Sequence, residues 1–255
     1  MKTWIKNPLA ILAKNSENGI VIDGAFIVEL VAKGKQPSTP IDKVINASEH
    51  VVIPGLINTH HHYYQTLNRA FSISLNKELR EWAKVLHPFW SKLTPESLFV
   101  ASKVAIVELL LSGCTTSADH HYIFPKGLEN AIDIQVQAAK ELGIRSVLVR
   151  GGADFLQHNG GFALDSITQN EDVILDDCER VIKRYHDDND GSMLQIALGP
   201  CSKFIATKSL MTKTAQLAKK YNVRLHTHAS EGRTENILCQ KMFNQKPIDY
   251  LDEVG

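Results

Sequence analysis

The sequence is poor in cysteine, has no excess of either charge and holds no long apolar run, and each scarcity removes a class of function. Its four cysteines among 255 residues, Cys114, Cys178, Cys201 and Cys239, lie far apart and form no CxxC pair. Such spacing speaks against a disulfide framework and for a reduced, cytoplasmic setting. Lysine plus arginine and aspartate plus glutamate both total 28, so there is no basic surplus to hold a phosphate backbone, and no nucleic-acid partner is expected. No stretch reaches the roughly 18 apolar residues of a membrane span, so no membrane partner is expected either. Asn7 and Pro8 interrupt the opening before it reaches signal-peptide length. The oligomeric state stays open, a homo-oligomer included. The length suits an α/β barrel of one domain.

Residues 1–53 read as a small N-terminal β-strand module, with strands at Ile20 to Ile22 and Phe26 to Leu30 around Asp23-Gly24, a dipeptide that favours a type I′ hairpin turn. From about residue 54 to 255 the pattern becomes apolar runs alternating with helix-period segments, the mark of βα units around a parallel sheet. Five strands are expected, at Val51 to Ile57, Thr115 to Ala118, Ile144 to Val149, Met193 to Leu198 and Val223 to Leu225. The fold class is therefore α/β, a partial TIM-type (β/α) barrel of about five of the eight βα units. Thr94 and Pro95 start one helix and Gly113 stops it; Gly143 stops the next. Residues 63–93 read as an oversized loop carrying Tyr63, Tyr64, Phe71, Trp82, Phe89 and Trp90. These aromatics either cover a flat ligand or pack the loop on the barrel.

What the chain does have is histidine. Seven of its eleven, His60, His61, His62, His120, His121, His226 and His228, gather at the ends of three expected strands. Residues two apart on a strand share a face, so His60 and His62 project together while His61 points away. Two converging imidazoles suit zinc, and His228 at the end of the fifth strand, at the same barrel mouth, supplies a third. Glu231, three residues on, is placed to shuttle a proton between a metal-activated water and a leaving amine, or else to cap the following helix. His61, His120, His121 and His226 read equally well as hydrogen-bonded core residues.

These residues resemble a known family. VVIPGLINTHHH resembles the PGxxxxHxH signature on the first strand of the amidohydrolase superfamily; Gly113-Cys114-Thr115-Thr116 resembles its GxTT turn, and His228-Ala229-Ser230-Glu231 the HxxE of its mononuclear zinc deaminase branch. Within that branch GLINTHHHYYQTLNRA, LLLSGCTTSADHHYIFP and VRLHTHASE are most similar to the 8-oxoguanine deaminases, with hydroxytriazine aminohydrolases as close competitors. The resemblance implies one zinc ion on His60, His62 and His228, with Glu231 as proton shuttle. It further implies Gln65 and Arg150 as hydrogen-bonding partners of a purine edge, and hydrolysis of 8-oxoguanine to urate and ammonia. The fourth strand, IALGPCS, lacks the lysine of binuclear members, and Lys203 lies past the site. The family also uses a histidine after the sixth strand and an aspartate after the eighth. Since the sequence stops at Gly255 after a fifth helix, the expectation is a truncated chain, inactive by itself, whose parent is the enzyme. A non-catalytic metal-binding or dimerising module is the alternative from another class.

Overall fold

The computed structural model describes residues 1–255. The chain divides into two compact units, Met1–Leu56 with Asn189–Gly191, and Ile57–Asp188 with Ser192–Gly255.

The first unit is β-rich. β1 (Lys2–Lys6), β3 (Gly19–Asp23), β4 (Phe26–Val31) and β5 (Lys43–Asn46) form a sheet in the order β4-β3-β1-β5, and β2 (Ala10–Ile11) pairs with β6 (Val51–Val52). Trp4, Val21 and Val31 make its small core. The expected hairpin is present, with Asp23 opposite Phe26. Only Gly24 in its turn takes a positive φ, +58°, whereas a type I′ turn needs two such residues.

The second unit is built of βα units. β7 (Leu56–His61), β8 (Cys114–His121), β9 (Arg145–Gly152) and β10 (Leu194–Pro200) form a sheet in the order β10-β9-β8-β7, with β8–β9 and β9–β10 parallel. The fifth expected strand is reduced to one parallel bridge, Leu198 to Leu225, beside β10. The first lies later than expected: Val51–Val52 pairs in the β module, and after Pro54-Gly55 a separate strand carries the chain to His61. The helices are α1 (Leu79–Trp90), α2 (Pro95–Leu111), α3 (Ala131–Leu142), α4 (Glu171–Tyr185), α5 (Lys208–Tyr221), α6 (Arg233–Phe243) and α7 (Pro247–Val254). Their ends follow local chemistry. Thr94 and Ser97 form a reciprocal capping box ahead of α2, and Gly143 closes α3 at φ +74°. Residues 63–93 are not a bare loop, since α1 occupies Leu79–Trp90. Its apolar residues Leu79, Trp82, Leu86 and Trp90 recur at helical spacing.

Period-two alternation also decides the fate of Arg150. On β9 it shares a face with Leu148 and Gly152, the face on which Gly152 approaches the Ile174 side chain of α4. Its side chain is fully buried there. The guanidinium donates to Asp177 on α4 at 2.8 Å, to Gln169 at 2.8 Å and to the Gly151 carbonyl, and it lies over the Phe124 ring. The expectation of Arg150 as a substrate contact is therefore corrected: it ties sheet to helix. Removing it leaves the half-buried Asp177 carboxylate with one partner, Arg180. Arg150→Ala should lower the unfolding free energy by about 3 kcal/mol, the low end for a broken buried pair. Denaturant titration measures this, and an unchanged midpoint would contradict the assignment.

Candidate metal and substrate site

The strand ends of the second unit deliver the histidines to one place. His60 and His61 close β7, His120 and His121 close β8, and the segment after the Leu225 bridge carries His226 and His228. That segment is held by backbone bonds from His226 N to the Leu198 carbonyl at 2.8 Å and from His228 N to the Cys201 carbonyl at 3.1 Å. Close approach is possible because Gly199 has no side chain. A Cβ there would lie 2.8 Å from the His226 carbonyl oxygen and 2.9 Å from His120 Nε2.

Two backbone carbonyls set the tautomers. His62 Nδ1 lies 2.6 Å from the His120 carbonyl and His228 Nδ1 lies 3.0 Å from the Cys201 carbonyl. A carbonyl only accepts, so both Nδ1 atoms carry the proton and both Nε2 atoms present a bare lone pair. Those two Nε2 atoms face each other at 3.1 Å, and His60 Nε2 lies 3.2 Å from that of His228. Around a tetrahedral zinc with bonds of about 2.0–2.1 Å, ligand nitrogens sit about 3.3 Å apart. The three imidazoles thus fit a metal ion in donor type, protonation and spacing. Their ligand atoms form one of two triads in which all members lie within 4.8 Å of one another; the other is His60, His120 and His226. Burial holds the three rings neutral. It pushes His62 down to about 3, helped by the neighbouring His228 and His60 rings, and His228 down to about 4, and it also lowers His60.

The same three rings open onto a cavity of about 610 Å³ whose wall includes His60, His62, His228, Gln65 and Glu231. The expected site residues are therefore brought together, Arg150 excepted. Burial raises the Glu231 carboxyl above its usual range, Glu235 raises it further, and Lys203 opposes both. Its backbone is held as well: Ser230 takes a left-handed φ of +59°, and Glu231 N donates to Glu235 at 2.5 Å. Glu235 forms an ion pair with Lys203 in which both side chains are buried. Lys203 is thus not past the site but supports the loop that carries Glu231. Helix spacing could have flagged Glu235 at the third position of α6, reaching back as in a capping box; no local signal marks its partner.

The aromatics of residues 63–93 divide. Tyr63, Tyr64 and Trp90 are fully buried packing residues and Phe71 meets Phe89 edge-to-face at 4.9 Å, while Trp82 lines the cavity with Phe162 and His87. His61, His120 and His121 do not line the cavity. The His120 and His121 Nε2 atoms bond to the Gly199 and Ile123 carbonyls, at 3.0 and 2.7 Å, and His61 stays off the cavity wall. His226 also stays off the cavity wall, and its Nε2 meets His60 Nδ1 instead of a carbonyl.

The chain is 49% identical to an 8-oxoguanine deaminase of Pseudomonas aeruginosa, over all of this chain and 57% of that protein. It is 30% identical to a hydroxydechloroatrazine ethylaminohydrolase of Pseudomonas sp. (strain ADP), over 84% of this chain and 44% of that one. It superimposes with a TM-score of 0.91 and 27% identity on an atrazine chlorohydrolase from Arthrobacter aurescens TC1 solved with zinc, covering 99% of this chain and 58% of that one. The chain thus spans about half the length of these relatives, from 44% to 58%. The sheet and helices of the second unit match the corresponding part of a TIM-barrel hydrolase. No helix is long and apolar enough to cross a membrane. The model of the amidohydrolase family matches residues 51–255, and the chain belongs to that family.

Proposed function

We propose that this site belongs to a hydrolytic deaminase that holds one zinc ion on His60, His62 and His228 and converts 8-oxoguanine and water to urate and ammonia. The observation that carries it is the pair of proton-free Nε2 atoms of His62 and His228 facing each other at 3.1 Å on the wall of a cavity that also holds Glu231. The 49% identity to an 8-oxoguanine deaminase supports the choice of ring. A reducing, cytoplasmic setting is supported by four free and buried cysteines.

Zinc bound to these nitrogens supplies Lewis acidity that brings the ionisation of water toward neutral pH. Glu231 takes the proton that the attacking water loses. A carboxyl raised by burial holds a proton closer to neutrality than a free glutamate, so it can hand that proton on to the departing nitrogen. The new carbon–oxygen bond replaces the carbon–nitrogen bond and ammonia leaves. The Lys203–Glu235 pair keeps the Glu231 backbone in place while its side chain works from both sides of the exchange. Trp82 and Phe162 offer flat apolar faces to a ring. Gln65 donates from Nε2 to the Tyr64 hydroxyl at 3.2 Å, which leaves its amide oxygen to accept from a purine edge. Arg80, stacked at 4.2 Å on Phe162, is the arginine on the cavity wall.

A hydroxytriazine is the second reading, favoured by the structural likeness to the atrazine chlorohydrolase. Steady-state ammonia release by the protein that carries this site separates the two. We expect the faster rate with 8-oxoguanine, and a preference of about tenfold for the triazine would reverse the assignment of substrate. Glu231→Gln should lower kcat by on the order of 10²–10⁴-fold while bound zinc, measured by elemental analysis, stays unchanged. Loss of the metal along with activity would make Glu231 a ligand or a structural residue instead of a proton carrier.

A further inference from the structure

Of the three nitrogens that face the metal position, two have their tautomer imposed by the main chain. His62 and His228 each donate from Nδ1 to a carbonyl. His60 has no such carbonyl. Its Nδ1 meets the Nε2 of His226 at 2.8 Å. The two rings are nearly parallel, 8° apart, with centroids separated by 5.0 Å. Stacked faces keep atoms about 3.5 Å apart or more, so a 2.8 Å contact between parallel rings is an edge-to-edge contact in one plane. That is the geometry of an N–H···N hydrogen bond.

We propose that His226 is a positioning residue whose Nε2 accepts the Nδ1 proton of His60, doing with a side chain what the His120 and Cys201 carbonyls do for the other two ligands. This rests on the reading of His60, His62 and His228 as the metal site. The consequence is directional. With the proton fixed on Nδ1, His60 can present only Nε2, the atom 3.2 Å from His228 Nε2. Without the acceptor, nothing prevents the proton from sitting on Nε2 and pointing at the other two lone pairs. His226 itself is held by its backbone bond to Leu198 and by the gap above Gly199, where a Cβ would lie 2.8 Å from its carbonyl oxygen. His60, His120 and His226 also satisfy the loose spacing of a metal triad. The 2.8 Å in-plane contact, however, is shorter than the about 3.3 Å that two imidazoles adopt across one zinc, and it leaves no bare lone pair on His60 Nδ1.

The test is zinc affinity by competition with a chromogenic chelator, on the chain and on two variants, with histidine nitrogen NMR on the metal-free protein. His226→Leu should weaken zinc binding by about 10–100-fold, the usual effect of losing a partner of a ligating imidazole. His226→Gln, whose amide oxygen can accept the same proton, should recover most of that loss, which a merely structural role would not predict. The NMR spectrum should show the His60 proton on Nδ1, and it keeps the idea testable if His226→Leu fails to fold. Equal zinc affinity in parent and His226→Leu, or a His60 proton found on Nε2, would overturn the proposal. Two zinc ions per chain with His226 as a ligand would overturn it too. A chain that binds no zinc yet keeps the His60 proton on Nδ1 would sink the metal reading and leave the hydrogen bond standing.

Discussion

Lone pairs on neutral imidazoles repel when they point at one another, and the structure of this site is organised around forcing that arrangement. The His62 and His228 Nε2 atoms stand 3.1 Å apart with no proton to share, because each ring has already given its Nδ1 proton to a main-chain carbonyl. Such a contact costs free energy unless a cation lies between the nitrogens. The site is thus built for an ion before any ion arrives, and burial, which keeps the rings uncharged, removes the competing solution of protonating one of them.

The carbonyls that impose this are strand ends. His120 closes β8 and Cys201 directly follows β10, so the main chain of neighbouring parallel strands sets the side-chain chemistry of the residues beside them. A parallel sheet brings all such ends to the same edge, which is why active sites of barrels lie there. The carboxylate on the cavity wall is mounted differently. Glu231 sits on a turn with a left-handed serine, pinned by a carboxylate that is itself neutralised by a buried lysine. The histidines are carried by strand ends, and Glu231 sits on a braced loop.

Much of this was legible in the sequence because it depends on short-range periodicities. The i, i+2 spacing of His60 and His62 requires only that they share a strand face, and Gly143 and Thr94 act within one helical turn. Arg150 departs from what the resemblance implies because parity with Leu148 turns it to the helix layer and to Asp177, 27 residues away. The helix within residues 63–93 was hidden by its interior Pro88 and by aromatics that suit a ligand cover as well as a packed face. Lys203 with Glu235, 32 residues apart, and His60 with His226, 166 apart, are set by tertiary closure, and no local pattern announces such pairs.

In the proposed site three Nε2 atoms, and no sulfur, hold the metal. Cys201 makes this a real choice, since its Sγ lies only 3.5 Å from His228 Nδ1. Zinc K-edge X-ray absorption on the zinc-loaded protein decides between them. Three histidine ligands give a first shell of nitrogen and oxygen at about 2.0–2.1 Å with the outer-shell scattering of about three imidazoles. A sulfur shell at about 2.3 Å, or a first shell without imidazole scattering, would contradict it.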